Sequence, residues 1–395
     1  MTQDSVQAQY EAYPYPERKP TDERKRLITG SPSLPVEMDH WLWGGARDWS
    51  QPLRALVAGG GTGDGLIQLA QLLSDAGRAC EITYIDMSKA ARRIAEKRAQ
   101  VRKLSGITFV TGSLLDAGRH GPFDYIDCCG VLHHLEDPQA GFDALAGALA
   151  PGGGMGLMVY APHGRSGIYP LQAAFGRLFD GLPPEKRLKR ARAVLRALPE
   201  AHPFKRNTRV VDHEQGDAGF YDLLLHGRDR PFTITELRGA LDAAGLEQAG
   251  SPEPLLYDPT RLVGALPEGM GEVEAMQLAE DLRGTFKTHV VYARPRGRAV
   301  APPFGDADAV AHLRGVQVAQ LAAHVARTGQ ITIDTAGETF VFDMAEGAAQ
   351  ALALIDGRTA VSGIKAAVPE FEAVWPQIEA ALCGLGLMHY SRILL

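Results

Sequence analysis

The stretch Arg54–Gly65, RALVAGGGTGDG, restricts what this chain can fold into more than any other. Four apolar residues, Ala55 to Ala58, run without alternation into Gly59, Gly60, Gly61, Thr62 and Gly63, and LIQLAQLL follows. A short unalternating apolar run suits a strand buried on both faces. The glycines permit a tight turn and leave no Cβ between the backbone and a ligand. The next helix turns its first N–H groups toward whatever lies over that loop. Strand, glycine turn and helix predict the opening of a nucleotide-binding βαβ unit. The spacing of Gly59, Gly61 and Gly63 is G-x-G-x-G, which matches neither dinucleotide folds nor phosphate loops. No lysine follows to hold a phosphate, so the loop favours close packing on an adenosyl group.

The same alternation continues for a hundred residues. Ile82–Ile85 reads as a second strand ending at Asp86, and Ser88 as the cap of a helix whose face is Ala91, Ile94, Ala95 and Arg98. Asp86 stands 23 residues beyond Gly63, at the strand tip where such folds grip a ribose through both hydroxyls. Met87 follows as a residue able to pack on an adenine ring. ITFVTGSLLDAG predicts a third strand, Ile107–Thr111, and a loop holding Ser113 and Leu114. FDYIDCCGVLHHLEDP predicts a fourth strand, Phe123–Cys129, then a glycine turn, the His133–His134 pair and a helix opening at Asp137-Pro138. A Pro-Gly-Gly turn precedes a fifth strand, Met155–Tyr160. Five strands alternating with helices imply an α/β, doubly wound parallel sheet whose ligand lies beyond the strand carboxyl ends.

From Arg54 to Tyr160 these ordered motifs resemble the class I S-adenosylmethionine-dependent methyltransferases, in the small-molecule and quinone-type pattern. The resemblance implies a Rossmann-like seven-stranded sheet and binding of S-adenosylmethionine, with S-adenosylhomocysteine as product. It carries the cofactor to Gly59, Gly60, Gly61, Thr62, Gly63, Asp86, Met87, Ser113, Leu114, Cys128 and Cys129. Two positions depart from the family. The first-strand site that is usually acidic there is Val57, which leaves the methionine amino group to backbone carbonyls near Gly59 and Cys128. The adenine-contacting acid is replaced by Ser113, with Asp116 as a substitute three residues on. A methyl acceptor that must lose a proton needs a base, and His133 and His134 are candidates, each equally able to cap the turn or pack under the cofactor. Tyr160 and His163 face the same mouth, and Tyr13 and Tyr15 can form an aromatic cage for acceptor or sulfonium. The implied function is methyl transfer to O, N or C of a small molecule. A protein or peptide acceptor and a non-catalytic cofactor-binding regulator are the alternatives.

The remaining chain divides by composition. Residues 1–50 hold many aromatics (Tyr10, Tyr13, Tyr15, Trp41, Trp43, Trp49), and Tyr13–Pro16 cannot be helical, so this stretch reads as a lid over the cofactor or a strap on the core. Residues 51–297 form the methyltransferase domain, with a helical insertion over 163–232. Thr233 and Glu236 predict a capping box and Gly245 a helix stop. Leu255–Leu262 and Thr285–Arg294 read as late strands. After a Pro- and Gly-rich linker, residues 298–395 form a small α+β, winged-helix-like accessory domain that stabilises, dimerises or recognises. Nine Lys or Arg residues between Lys186 and Arg209 make either a solvated face or a positive rim. A net charge of −6 argues against nucleic-acid binding. There is no apolar run of membrane-spanning length and no h-region at the N-terminus, and four cysteines without a C-x-x-C pair imply a reducing, cytoplasmic setting and no metal site.

Overall fold

The computed structural model describes residues 9–393 except 302 and 305; the first eight residues of the expected lid and the last two of the chain lie outside the described residues. Helix α1 (Pro35–Trp43) precedes a sheet formed by β1 (Leu53–Ala58), β2 (Cys80–Asp86), β3 (Ile107–Thr111), β4 (Phe123–Cys129), β5 (Leu149–Tyr160), β6 (Leu246–Gly250) and β7 (Thr288–Pro295). The strand order is β3-β2-β1-β4-β5-β7-β6, with β7 antiparallel to both neighbours. Strand β1 is buried at every position but Arg54, as its unalternating apolar run requires. On one face Leu53, Ala55 and Val57 meet Leu66, Leu69 and Leu73 of α2 (Asp64–Asp75), beside α3 (Lys89–Val101). On the other, Leu56, Ala58 and Ile126 meet Phe142 and Leu145 of α4 (Pro138–Gly147), and further along that face lie Leu237 and Leu241 from the Ile234–Ala243 helix.

The capping signals act as their chemistry dictates. Ser88 accepts from the Ala91 N–H, Asp137 from Gln139 and Ala140, and Thr233 and Glu236 close a reciprocal capping box. One expectation fails. Leu255–Leu262 is not a strand: Pro254–Tyr257 is a 3-10 turn and Thr260–Val263 a single helical turn. Pro252, Pro254 and Pro259 each lack the N–H that a ladder needs, and β6 supplies the pairing to β7 instead.

The insertion folds into α5 (Ile168–Phe179), α6 (Pro184–Ala197) and α7 (Asp217–Leu225), packed on one another through Ile168, Phe175, Phe220 and Leu224. Beyond β7, β8 (Val310–Leu313) pairs antiparallel with β9 (Met388–Ser391), and Gln330–Thr335 and Glu338–Asp343 form a hairpin. These strands and four helices share a core built on Ala351, Leu352, Ile364, Val374 and Ile378. Helix α1 ties that module down. His40 Nδ1 accepts from the Tyr390 N–H (3.0 Å), Asp39 accepts from the Ser391 hydroxyl (2.6 Å) and the Trp49 indole (2.9 Å), and Glu37 pairs with Arg314. No helix among the described residues is long and apolar enough to cross a membrane.

Two stability consequences follow from buried charge. Arg98, wholly buried, donates to Glu23 (2.7 Å), Asp64 (2.6 Å) and the Thr62 carbonyl (2.9 Å). Arg98→Met leaves Glu23 to Arg102 and Asp64 to Arg18 but removes the central buried cation and orphans the Thr62 carbonyl, and is expected to cost about 2–3 kcal/mol in urea unfolding; a loss under about 1 kcal/mol, the scale of an exposed pair, would show the network contributes nothing. His40 is pushed down by burial to about 3. Its unfolded counterpart takes a proton near pH 6.5, so its contribution is complete above that value and drains as pH falls toward 3. Between pH 6.5 and 5 the stability difference between wild type and His40→Phe should shift against the wild type by about 2 kcal/mol. A pH-independent difference would contradict a neutral buried ring.

Candidate active site

A cavity of about 500 Å³ opens across the carboxyl ends of β1, β2 and β4. At one end lies the glycine loop. Asp86 Oδ2 accepts from the Gly61 N–H (2.7 Å) and Oδ1 from the Ser88 N–H (2.8 Å), which holds the carboxylate at the cavity floor. Burial raises the Asp86 carboxyl, and these two N–H groups oppose the rise. Its remaining lone pairs can take both hydroxyls of a ribose. Gly61 has φ +51°, and a Cβ there would meet the Tyr15 carbonyl oxygen at 2.7 Å. The segment Tyr15–Arg18 thus lies directly on the loop. Thr62 Oγ1 donates to the Pro16 carbonyl (2.7 Å), and Arg18 pairs with Asp64 (2.7 Å). Burial alone would raise Asp64, but Arg18 and Arg98 outweigh it and hold the carboxyl below its usual range.

The other end is closed by the insertion. Asp222 of α7 accepts from the Tyr10 hydroxyl (3.0 Å) and the Tyr160 hydroxyl (3.4 Å). His226, one helical turn on, stacks on His134 with ring centroids 3.8 Å apart. Arg165 lies 3.5 Å over the Tyr160 ring and pairs with Asp229 at 3.2 Å. Burial raises the Asp222 carboxyl and lowers the His226 imidazole.

Hydrogen-bond partners assign the tautomers. His134 Nδ1 faces the Arg228 carbonyl at 2.8 Å, so it carries the proton and Nε2 keeps a lone pair. His226 Nδ1 accepts from the Arg228 N–H at 3.0 Å, so its Nε2 carries the proton and faces the Tyr10 oxygen at 3.2 Å. Donor atoms of His134, Asp222 and His226 lie within 4.8 Å of one another, the spacing of a metal site. In this hydrogen-bonded arrangement the His226 Nε2 proton is directed at the Tyr10 oxygen. The donor set is suited to sharing protons.

Gly59, Gly60, Gly61, Asp86, Met87, Leu114, Cys129, His134, Tyr160 and Tyr15 all line the cavity. Others of the expected residues do not. Thr62 is turned to Pro16, Gly63 caps α2 behind the loop, and Cys128 points into the core. Ser113 caps the 3-10 helix through the Leu115 N–H, and Asp116 pairs with Arg119 at the surface. His133 is fully buried, accepts from the Tyr160 N–H (3.3 Å), and is lowered by burial. Tyr13 stacks on Tyr221 of the insertion (5.0 Å), and His163 pairs with Asp281 (3.3 Å). Sequence reasoning missed Tyr10, Ser31, Asp127, Arg165 and Asp222 as lining residues, along with His226 behind them. For Asp222 and His226 a signal existed in their i, i+4 spacing within FYDLLLH.

Residues 56–155 match a family model described as a methyltransferase domain. An uncharacterized protein of Synechococcus sp., syc1184_c, is 33% identical over 277 residues, 66% of this chain and 63% of that protein. The tRNA 5-carboxymethoxyuridine methyltransferase of Escherichia coli K12 is 29% identical over 140 residues, 35% of this chain and 51% of that protein. This chain therefore spans less than two thirds of the length of these curated relatives. Among solved structures, PKMT2 from Rickettsia typhi shares the fold at TM-score 0.62 and 14% identity, over 92% of this chain and 76% of that one. The same protein in complex with AdoHcy gives 0.57 at 15% identity, over 82% and 66%. Sheet order, glycine loop and family match together make this a chain with a class I S-adenosylmethionine-dependent methyltransferase domain.

Proposed function

We propose that this chain transfers a methyl group from S-adenosylmethionine to an O, N or C nucleophile of a small-molecule acceptor, releasing S-adenosylhomocysteine. The observation that carries the reading is the His134 tautomer: an Nε2 lone pair in the cofactor cavity, beside the buried Asp222 carboxylate. The cofactor supplies a methyl already activated by its sulfonium. Asp86 holds the ribose, Gly59–Gly61 pack on the adenosyl group, and Met87 and Leu114 border the adenine. Tyr15 and Pro16 exclude water from above the loop. His134 Nε2 takes the proton that an acceptor hydroxyl or ammonium loses as the new bond forms. The resulting imidazolium is stabilised by Asp222, whose orientation Tyr10 and Tyr160 fix.

The enclosure favours a compact acceptor. The lid segment and the insertion both border the cavity, and Asp212, Gln215 and Lys287 are among its lining residues. We divide the chain into an N-terminal lid and strap over 1–50, a methyltransferase domain over 51–297 and an accessory domain over 298–395. The four cysteines are all unpaired, in keeping with the reducing cytoplasm.

Calorimetric titration should show Asp86→Ala weakening S-adenosylmethionine about 10- to 100-fold, the loss of one charged hydrogen-bonding group. Unchanged affinity would refute the ribose assignment. With radiolabelled cofactor and cell extract, label should enter the small-metabolite fraction. His134→Gln should slow that incorporation by about 10²- to 10⁴-fold while cofactor affinity is retained. A variant as fast as wild type would rule out a base at this position, and label confined to protein would overturn the small-molecule acceptor.

A further inference from the structure

In register, Val57 of β1 sits directly beside Asp127 of β4. The carboxylate absent from the first strand is thus present one strand over, on the same face of the sheet. Asp127 is 1% exposed, lines the cofactor cavity, and has no ion-pair partner among the described residues. Its Oδ2 accepts from the hydroxyls of Ser31 and Ser33. Burial raises its carboxyl, and the two serines oppose that. A buried carboxylate with hydroxyl partners and no cation is costly unless a positive group completes it.

The surroundings fix that carboxylate at the cavity wall. A Cβ on Gly65 would collide with Asp127 Oδ2 and Ser31 Oγ, so the first turn of α2 can pass only as glycine. Gln68, buried one turn later, fixes the serine segment. Its Oε1 accepts from the Gly30 N–H (2.8 Å) and Ser31 N–H (3.3 Å), and its Nε2 donates to the Ser31 carbonyl (3.1 Å). Asp86 terminates β2, and Asp127 lies on β4, two strands away across β1. That offset is roughly 10 Å, two inter-strand spacings. A cofactor with its ribose on Asp86 and its adenosyl group against the glycine loop extends its amino-acid arm toward β4.

We propose that Asp127, held by Ser31 and Ser33, binds the α-ammonium of the cofactor's methionine moiety, replacing the acid missing at Val57. This rests on the reading of the cavity as an S-adenosylmethionine site. Backbone carbonyls near Gly59 and Cys128 then need not carry that charge alone, and Cys128 itself points away into the core. The N-terminal segment becomes part of the cofactor site at Ser31 and Ser33 as well as at Tyr15.

Calorimetry on the full chain tests this with two ligands: S-adenosylhomocysteine, and its analogue lacking only the α-amino group. Asp127→Asn preserves shape and removes the charge. It should weaken S-adenosylhomocysteine roughly tenfold or more, as loss of a charge-assisted hydrogen bond does, and leave the deaminated analogue unchanged. Wild type should itself prefer the amino-bearing ligand by a similar factor. Parallel loss of both ligands in the variant would mean that Asp127 only shapes the loop, and that overturns the proposal, as does retention of both. If wild type binds neither ligand, the cofactor reading itself falls. Binding of the deaminated analogue by the variant doubles as proof that its site is folded.

Discussion

The glycine loop is held in place by a cation it does not contain. Arg98 reaches from α3, fully buried, to the Thr62 carbonyl inside the loop, to Asp64 at the start of α2 and to Glu23 of the N-terminal segment. A guanidinium taken out of water must have its donors met in good geometry, and its planar fork offers them in fixed directions. Satisfying Arg98 therefore fixes three pieces of chain relative to one another. Arg102 adds a second cation on Glu23, and Arg18 a second on Asp64. The lid cannot lie far from the loop while both carboxylates remain paired. This places Tyr15 over Gly61 and, further on, Ser31 and Ser33 against Asp127.

Electrostatics along the cavity have a direction. Asp86, Asp127 and Asp222 follow one another from the glycine-loop end to the roof, each raised by burial. Three buried carboxyl groups and several hydroxyls around an enclosed, low-dielectric space favour a cationic guest. The proposed methyl donor carries a sulfonium, and its product does not. Arg165 does not cancel the effect, because Asp229 and the Tyr160 ring already engage it.

What the sequence could disclose follows from range. Strands β3 and β4 begin and end where their apolar runs do, and the loop and Asp86 are legible because strand, turn and acid follow at short spacing. Asp127 sits in the middle of an apolar strand and gains its meaning only from register with Val57, a long-range fact. Asp222 and His226 share a local i, i+4 spacing, but Tyr10 meets them from more than two hundred residues away, and no local pattern announces that meeting. His133 and His134 are adjacent and identical in sequence, yet one is walled behind Tyr160 and the other opens on the cavity. That difference comes from the turn after β4, where a 3-10 geometry sends successive side chains in different directions. The Leu255–Leu262 error has the opposite origin: apolar content suggested a strand, while Pro259 removed a donor within it and Pro252 and Pro254 broke the chain just ahead of it.

The N-terminal segment finally explains why an accessory module sits on a methyltransferase sheet at all. Ser33 precedes α1 by a single residue, and α1 is the element that the module grips, through Asp39 to Ser391 and His40 to Tyr390. Strand β9 and the hydroxyls facing Asp127 are thus joined by less than three turns of one helix. Tyr292 adds rigidity from below, its hydroxyl donating to Glu37 (2.9 Å) and lying 3.1 Å from the Pro32 carbonyl, while Arg314 of the module pairs with the same Glu37. Lifting the module would take Arg314 from Glu37 and Ser391 from Asp39, and two buried carboxylates would each lose a partner. Any movement of α1 draws Ser31 and Ser33 away from Asp127 and loosens the lid behind them. The module is therefore connected to Asp127 without lining the cavity, through the helix that follows the serines.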